Sequence, residues 1–246
     1  MGHTDTATRN RIILGLEPAA QAHVLGRALT RPLHVGETIY EEGAPVTHAI
    51  FPHAGVVSLM TEMKDGRRIE TVSIGSEGFL GFSLVLGSQA AIRRSVVKVR
   101  GRASWVAVRE LNEAMAEFPA IREALVHSAR GLMLQAIQAA ACNALHSAEA
   151  RVVRWLLSTH DRIEGDRFEV TQQTMADVLG LRRATVNEAF SALESQGLIE
   201  LSRGVVLIAN RQRLEQRACE CYGKIACSFG FKRTADAERP APDASK

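Results

Sequence analysis

Two short helical patterns joined by Gly180 limit the folds open to this chain more than any other feature. Thr171 can cap the first helix, and Gly180 supplies the sharp turn before the second. The second pattern places apolar residues on one face at helical spacing: Val186, Ala189, Phe190 and Leu193. Beyond Gly197, two apolar runs flank Ser202-Arg203-Gly204 and indicate a strand, a tight turn and a strand. Together these patterns predict a winged helix-turn-helix.

The outward face of the second helix carries side chains that hydrogen-bond to bases and phosphates. An α-helix fits the major groove of DNA, where Arg donates to guanine and Asn, Thr or Glu find other partners. The predicted DNA contacts on this face, the first helix and the turn are Thr171, Gln172, Arg182, Arg183, Thr185, Asn187, Glu188, Ser191 and Arg203. An ordinary helical hairpin with a solvated polar face is the alternative interpretation.

Upstream, residues 33–108 alternate between short β-type runs and turn signals, which is typical of an antiparallel roll or barrel. The clearest element is a hairpin in which Asp65 and Gly66 join a strand ending at Met63 to a strand starting at Ile69. Further short strands are predicted at Thr38 to Tyr40, Ala49 to Phe51, Gly55 to Met63, Ser95 to Val99 and Trp105 to Val108.

A long helical pattern begins at Phe118 and Pro119 and runs to about His146. Its apolar residues form a stripe near the helical period: Ile121, Leu125, Leu132, Ala136, Ile137, Ala139, Cys142 and Leu145. The stripe continues for roughly seven turns with few charges after Arg130, so we expect a partner helix to cover it. The pattern therefore predicts a homodimer, with a core helix of one domain as the alternative.

The predicted fold class is α+β: an antiparallel β-roll, a long dimerisation helix and a C-terminal winged helix-turn-helix. The predicted boundaries are 1–28 for an N-terminal helical segment, 29–115 for the roll, 116–147 for the dimerisation helix, 148–215 for the DNA-binding domain and 216–246 for a tail. The end of this tail, Thr234 to Lys246, is charged and rich in small residues, which predicts disorder.

Composition excludes other classes of protein more clearly than it selects one. A net charge of +3 permits nucleic-acid binding without requiring it. With no apolar run of membrane length and a polar start at Met1 to Asn10, the sequence predicts a cytoplasmic chain without a membrane partner. No nucleophile, base and orienting group share a recognisable spacing, and no phosphate loop is present, so we do not expect an enzyme.

The chain has four cysteines: Cys142, Cys219, Cys221 and Cys227. They are too few and too clustered for a disulfide framework, so we expect reduced thiols. The last three could ligate a metal, but their place at the edge of a predicted tail favours an incidental grouping. A haem ligand from His34, His48 or His53 is a further minor alternative. The sequence analysis therefore predicts no metal site and no cofactor.

From about Leu33 to Ile208 the chain resembles transcription regulators of the Crp/Fnr family, which join a β-roll of the cyclic-nucleotide-binding type to a dimer helix and a winged helix. The more specific part of the resemblance covers Thr171 to Ile199. In the roll it rests on Val35-Gly36-Glu37-Thr38-Ile39, Gly43, Gly55, Gly78-Phe79-Leu80-Gly81 and Arg94-Ser95. The resemblance implies a homodimer that binds a pseudo-palindromic duplex, with RNA polymerase and a small effector as further candidate partners.

Two departures from the family pattern affect what the chain is expected to bind. The family's recognition helix carries an Arg-Glu-Thr-Val run followed two residues later by an Arg. Here Arg183 keeps the first Arg, but Glu188 stands in place of the second. Because of this change, a nucleotide- or anion-sensing interaction module with degenerate DNA binding is the alternative function.

The second departure concerns the effector. The resemblance implies an effector site at Gly81, Phe82, Arg94, Ser95, Ala136 and Ile137. Phe82 replaces the ribose-binding Glu of the family, whereas Arg94 and Ser95 keep its phosphate-binding pair. Ala136 and Ile137 replace the two hydroxyl residues that meet adenine in cAMP-responsive members, so we expect an effector other than cAMP. No cysteine precedes Cys142, so the N-terminal iron–sulfur centre of oxygen-sensing members is not expected.

Overall fold

The computed structural model describes residues 8–231, and the predicted disorder of Thr234 to Lys246 lies outside this range. The described chain starts with two short helices, α1 (Arg11–Leu14) and α2 (Pro18–Gly26). The side chain of Asn10 caps α1 by accepting from the backbone N–H groups of Ile12 and Ile13. Within residues 8–231, every helix is either too short or too polar to cross a membrane.

The next part of the chain is a five-stranded antiparallel sheet, which confirms the predicted roll. Strands β1, β5, β3 and β4 follow one another across the sheet, and β2 pairs with β5. Their bounds are β1 (Leu29–Leu33), β2 (Thr38–Tyr40), β3 (His48–Glu62), β4 (Arg68–Ile74) and β5 (Arg94–Ala107). The predicted Asp65-Gly66 hairpin joins β3 to β4, where Gly66 takes a φ of +81° and the Met63 N–H donates to the Arg67 carbonyl oxygen.

Strands β3 and β5 each replace two short strands of the sequence prediction. The predicted breaks are bulges within two long paired strands. At the bulge, Gly55 has a φ of +92°, and a Cβ on Gly101 would lie 1.9 Å from the Ala54 carbonyl oxygen. Glycine is required at position 101 because the two backbones cross so closely, and this crossing bends the strands without ending them.

Helices α3 (Val108–Glu117) and α4 (Pro119–Leu145) follow the roll. The stripe of α4 that we expected a partner to cover is largely covered by the chain itself, which corrects that prediction. Its buried members are Ile121, Leu125, Leu132, Ala139 and Cys142. A second apolar stripe of α4 remains exposed, with Val126, Met133, Leu134, Ile137 and Leu145 as its large members.

The DNA-binding half has the predicted order of elements. It comprises α5 (Ala148–His160), β6 (Arg167–Glu169), α6 (Gln172–Leu179), α7 (Arg183–Ser195), β7 (Ile199–Ser202) and β8 (Val205–Ile208). The three strands form a small antiparallel sheet in the order β6, β8, β7. The hydrophobic core of the DNA-binding half includes the buried side chains of Trp155, Phe190 and Leu193.

The segment predicted to be a tail from residue 216 is ordered as far as the structure describes it. Helix α8 (Arg211–Gln216) precedes α9 (Glu220–Ser228), which packs along α4 and α5. Tyr222 and Ile225 of α9 are buried. Near its end, the Phe229 ring occupies the place of a side chain at Gly131, since a Cβ there would lie 2.6 Å from the ring. The sequence analysis missed α9 because its apolar contacts are with residues far away in the chain.

The roll and the DNA-binding half share a buried interface. Val56 and Val99 of the roll belong to the same hydrophobic cluster as the core of the DNA-binding half. Beside them, Arg162 and Glu77 form a buried ion pair with an N–O distance of 2.8 Å. Although burial opposes the charged form, the Glu77 carboxylate raises the pKa of the Arg162 guanidinium above its ordinary value.

Candidate functional site

The predicted helix-turn-helix is present in the structure. The Thr171 hydroxyl caps α6 by accepting from the Thr174 N–H at 3.0 Å. Gly180 ends α6 with a φ of +60°, a left-handed conformation that glycine adopts without strain. One face of α7 is buried in the core through Val186, Phe190 and their neighbours, which leaves the other face directed outward. The cap, the turn and the two-faced second helix were thus all predictable from sequence.

The outward face of α7 and the turn between β7 and β8 present most of the predicted DNA contacts to solvent. The exposed members are Thr171, Arg182, Arg183, Glu188, Ser191 and Arg203, and the half-buried members are Gln172, Thr185 and Asn187. The Asn187 side-chain oxygen has no hydrogen-bond partner among the described residues. That oxygen is buried, whereas the exposed side chains of the set are available to an external ligand.

We call the turn between β7 and β8 the wing. A concave surface lies between the wing and α7, the recognition helix. Arg183 of α7, Gln172 of α6 and Arg203 of the wing line the same cavity of about 530 Å³. Arg203 is exposed at the wing tip, where its φ of +43° and the following Gly204 form the tight turn. None of the described lining residues is acidic. Two guanidinium groups on a surface without carboxylates are suited to a polyanion such as a nucleic-acid backbone.

Comparison with known proteins agrees with this geometry. Residues 150–217 match the family model of the Crp-like helix-turn-helix domain. These residues form a Crp-like helix-turn-helix domain, and the chain as a whole is similar to Crp-like transcription regulators.

The similarity to known proteins extends beyond the matched domain. The chain is 27% identical over 231 residues to a CRP-like cAMP-activated global transcriptional regulator of Mycobacterium tuberculosis, and the match covers 85% of this chain and 97% of that protein. The solved structure of FixK2 from Bradyrhizobium japonicum has a TM-score of 0.66 at 21% identity, over 78% of this chain and 98% of that one. The c-di-GMP-responsive regulator CLP of Xanthomonas campestris has a TM-score of 0.60 at 18% identity, over 79% and 100%.

The loop that was predicted to bind an effector is closed around its own side chains. Gly81 and Phe82 start a short 3-10 turn, and Phe82 packs between two clusters of the roll's core. The cavity that Gly81, Phe82 and Ser95 line together has a volume of about 10 Å³. Ligand pockets typically measure about 300 to 1,000 Å³, and a cavity of this size holds about one water molecule.

The structure separates the other predicted effector residues. Arg94 and Ser95 are consecutive in β5, so their side chains point to opposite faces of the sheet. The Arg94 guanidinium donates to the Thr38 hydroxyl at 3.0 Å and lines a different cavity of about 310 Å³ beside α6. Ala136 packs against the roll, whereas Ile137 is exposed. The six predicted effector residues therefore do not line one pocket in this structure.

A group of side chains that sequence reasoning did not bring together lies at the end of α4. The ligand atoms of Cys142, His146, Cys219 and Cys221 all lie within 4.8 Å of one another. Burial raises the pKa of the Cys142 thiol to about 12 and also raises the pKa of the Cys221 thiol. Cys227 is exposed and lies outside the group. The sequence signal was the spacing of Cys142 and His146, four residues apart and hence on one helix face.

Proposed function

We propose that this regulator is a homodimer that binds pseudo-palindromic DNA in a sequence-specific manner, and that cAMP does not control it. The observation that carries the proposal is the outward face of α7, where Arg183 and Glu188 are exposed and no other part of the described chain covers them. Arg in this position can donate to guanine in the major groove, and Glu can accept from the cytosine amino group.

The exposed stripe of α4 supports a dimer. Five exposed apolar residues follow one another along α4 at intervals of seven, four, three and four residues: Val126, Met133, Ile137, Ala140 and Ala144. Arg130 divides the first interval into four and three residues. This is the spacing of a coiled-coil seam, and an apolar seam in water is stabilised by a second copy of the same helix. A two-fold dimer would place its two recognition helices on half-sites about one helical turn apart.

Selection from random duplexes followed by gel shift tests sequence-specific binding. We expect an enriched pseudo-palindrome whose affinity falls steeply with added salt, because phosphate contacts release counterions. Binding without sequence preference would favour the alternative of an interaction module with degenerate DNA binding.

Sedimentation of an Ile137→Glu variant tests the dimer. Ile137 is 60% exposed in the chain, so the substitution should leave the fold intact while placing a charge in the seam. We expect the wild-type protein to sediment as a dimer and the variant as a monomer with weakened operator binding. The matched control is Leu86→Glu, which changes a residue that is 61% exposed outside the seam and should leave the dimer unchanged. A stable wild-type monomer at micromolar concentration would exclude this part of the proposal.

The filled cavity under Phe82 supports independence from cAMP. The Mycobacterium tuberculosis relative is named as cAMP-activated, but here Phe82 offers no carboxylate to a ribose. Loss of a charge-assisted hydrogen bond costs about 1.5 to 3 kcal/mol, which is roughly a ten- to hundred-fold loss of affinity. Calorimetric titration of cAMP and gel shifts with and without cAMP measure this directly. Micromolar affinity with a ten-fold gain in DNA binding would contradict it.

A further inference from the structure

The four clustered side chains come from two segments that are distant in sequence. Cys142 lies in the last turns of α4, and His146 is the residue that ends this helix. Cys219 is the residue before α9, and Cys221 lies in the first turn of α9. The cluster therefore joins the end of the long helix to the start of the C-terminal helix. Cys142 and Cys221 are buried, so these two thiols are held by packing.

Two separations in the cluster match the edges of a tetrahedral zinc site, and all four ligand atoms lie within 4.8 Å of one another. With Zn–S bonds of about 2.3 Å and Zn–N bonds of about 2.05 Å, tetrahedral geometry places two sulfurs about 3.8 Å apart and a sulfur and a nitrogen about 3.6 Å apart. The Cys142 and Cys219 sulfurs are 3.8 Å apart, and the Cys221 sulfur lies 3.5 Å from His146 Nδ1. Four ligands this close together can surround one ion. A cluster of several irons and sulfides would require its cysteines to be further apart.

The groups around the cluster are those that orient zinc ligands. His146 Nε2 lies 3.4 Å from a carboxylate oxygen of Glu220, which leaves Nδ1 to face the cysteines. A carboxylate on the second ring nitrogen fixes the tautomer of a ligating histidine and increases its basicity. Gln138 donates a hydrogen bond to the Cys221 sulfur at 3.0 Å, which would stabilise a thiolate.

A buried cation balances the charge that such a site would carry. Three thiolates, a neutral imidazole and Zn²⁺ have a net charge of −1. Arg154 is only 6% exposed, and its Nε has no hydrogen-bond partner among the described residues. Arg154 is close enough to Cys142 for its charge to act on that side chain. A buried arginine is costly without a counter-charge, and an anionic metal site would supply one.

We propose that Cys142, His146, Cys219 and Cys221 bind one zinc ion, a structural site that fixes α9 to the end of α4. All four positions of the tetrahedron are filled by protein ligands, and such closed sites stabilise structure and do not perform catalysis. This proposal replaces our sequence-based expectation that the cysteines are an incidental group. The ion would lie next to Ser147, where the chain passes from α4 into the DNA-binding half.

Metal binding by the full chain tests the proposal. The protein is purified anaerobically with a reductant, freed of metal with a chelator, and titrated with Zn²⁺ against a chromophoric competitor. We expect one zinc per chain. Titration with Co²⁺ should produce the visible absorption of a tetrahedral site and a thiolate-to-cobalt charge-transfer band. Both readouts are independent of DNA binding and dimerisation, so they stand whether or not the proposed function is correct.

Variants identify the ligands. Cys219→Ser and His146→Asn change residues that are not fully buried, and each should weaken zinc binding more than about 100-fold. Glu220→Gln should weaken it about ten-fold, because only the orientation of His146 is affected. Cys227→Ser is the matched control, since this thiol is exposed and lies outside the cluster, and it should bind zinc like the wild type. Circular dichroism of each metal-free variant checks that it is folded.

Three results would overturn the proposal. The first is an absence of stoichiometric zinc binding by the folded wild-type protein. The second is an equal loss of binding in the Cys227→Ser and Cys219→Ser variants. The third is a different occupant of the same residues in anaerobically purified protein, either iron with acid-labile sulfide or a disulfide between Cys142 and Cys219.

Discussion

The roll and the helix-turn-helix differ in how exposed their predicted ligand-binding residues are. In the helix-turn-helix, the outward side chains of α7 are exposed or half-buried, and other residues of the helix form its contacts with the core. In the roll, Gly81, Phe82 and Ser95 line a cavity of only about 10 Å³, and Arg94 is directed to the other face of the sheet from Ser95. The predicted DNA contacts share one open surface, whereas the six predicted effector residues do not line one pocket. A fold does not require a particular ligand site, because packing and ligand binding depend on different residues.

If the roll serves as a scaffold, its buried contact with the DNA-binding half should contribute strongly to the free energy of unfolding. Glu77→Ala would leave the Arg162 guanidinium buried without its counter-charge. We expect the free energy of unfolding to fall by about 3 to 5 kcal/mol, measured by urea denaturation.

Arg100→Ala is the matched control for this experiment. Arg100 and Glu169 also join the roll to the DNA-binding half, but both side chains are largely exposed. The loss should therefore stay below about 1 kcal/mol. Equal losses in the two variants would mean that the interface does not depend on its buried pair.

In the roll, we predict that mild acid lowers stability because it protonates the buried His53 side chain. Burial, with a smaller contribution from Arg102, lowers the pKa of His53 to about 4. Its Nδ1 accepts from the Arg9 N–H at 3.2 Å, an interaction that protonation would remove. The contribution to stability is complete above pH of about 6.5 and is lost as the pH falls towards 4. The fall of the His53 pKa from 6.5 in the unfolded chain to about 4 in the folded protein corresponds to about 3 kcal/mol of free energy of unfolding.

Urea denaturation at several pH values measures this loss. In a His53→Gln variant, the fall in stability between pH 6.5 and 4 should be smaller, because the replacement does not titrate. If the wild type and the variant show the same pH dependence, His53 is not the group responsible.

In the helix-turn-helix, Arg183→Ala should weaken binding to the selected operator by about 1 to 3 kcal/mol, which is roughly 5- to 150-fold. The loss should be confined to the cognate sequence and should relax one base position, as measured by gel shift on a panel of single-base variants. Arg109→Ala, which removes an exposed arginine from α3, is the control and should bind like the wild type. A uniform loss on every sequence would instead assign Arg183 to a phosphate, as the cavity it shares with Arg203 would allow.

The smallest effect is expected from Glu188→Gln. The amide can no longer accept as a charged group from a cytosine amino group, so discrimination at one base pair should fall by about 1 kcal/mol. Competition between operators that differ at this position measures it. Unchanged discrimination would show that Glu188 faces solvent in the complex.

The sequence was most informative where structure is determined locally. The Thr171 cap, the turn at Gly180 and the buried face that includes Val186 depend on neighbours within one helical turn, and all were predicted. The bends in β3 and β5 were missed because Gly55 and Gly101 signal a turn locally, while the close crossing that keeps the strands continuous involves residues 46 positions apart in the chain.

The cysteine cluster and α9 were missed for the same reason at longer range. Cys142 meets Cys219 across 77 residues, a distance at which single-sequence patterns carry no signal. The covered stripe of α4 was likewise assigned to a partner, because periodicity shows that a face is buried without showing what buries it.

Helix α4 is the part of the molecule least able to change its length. One side of it contacts the roll, where Gln135 bonds Ser73, a second side receives Phe229 at Gly131, and a third carries the exposed stripe with Ile137. Adding one residue would rotate everything beyond it by about 100° and displace it by about 1.5 Å. All three surfaces would then lose their alignment at once. Natural variation in length should therefore accumulate in places such as the Asp65-Gly66 hairpin and be rare between Pro119 and Leu145.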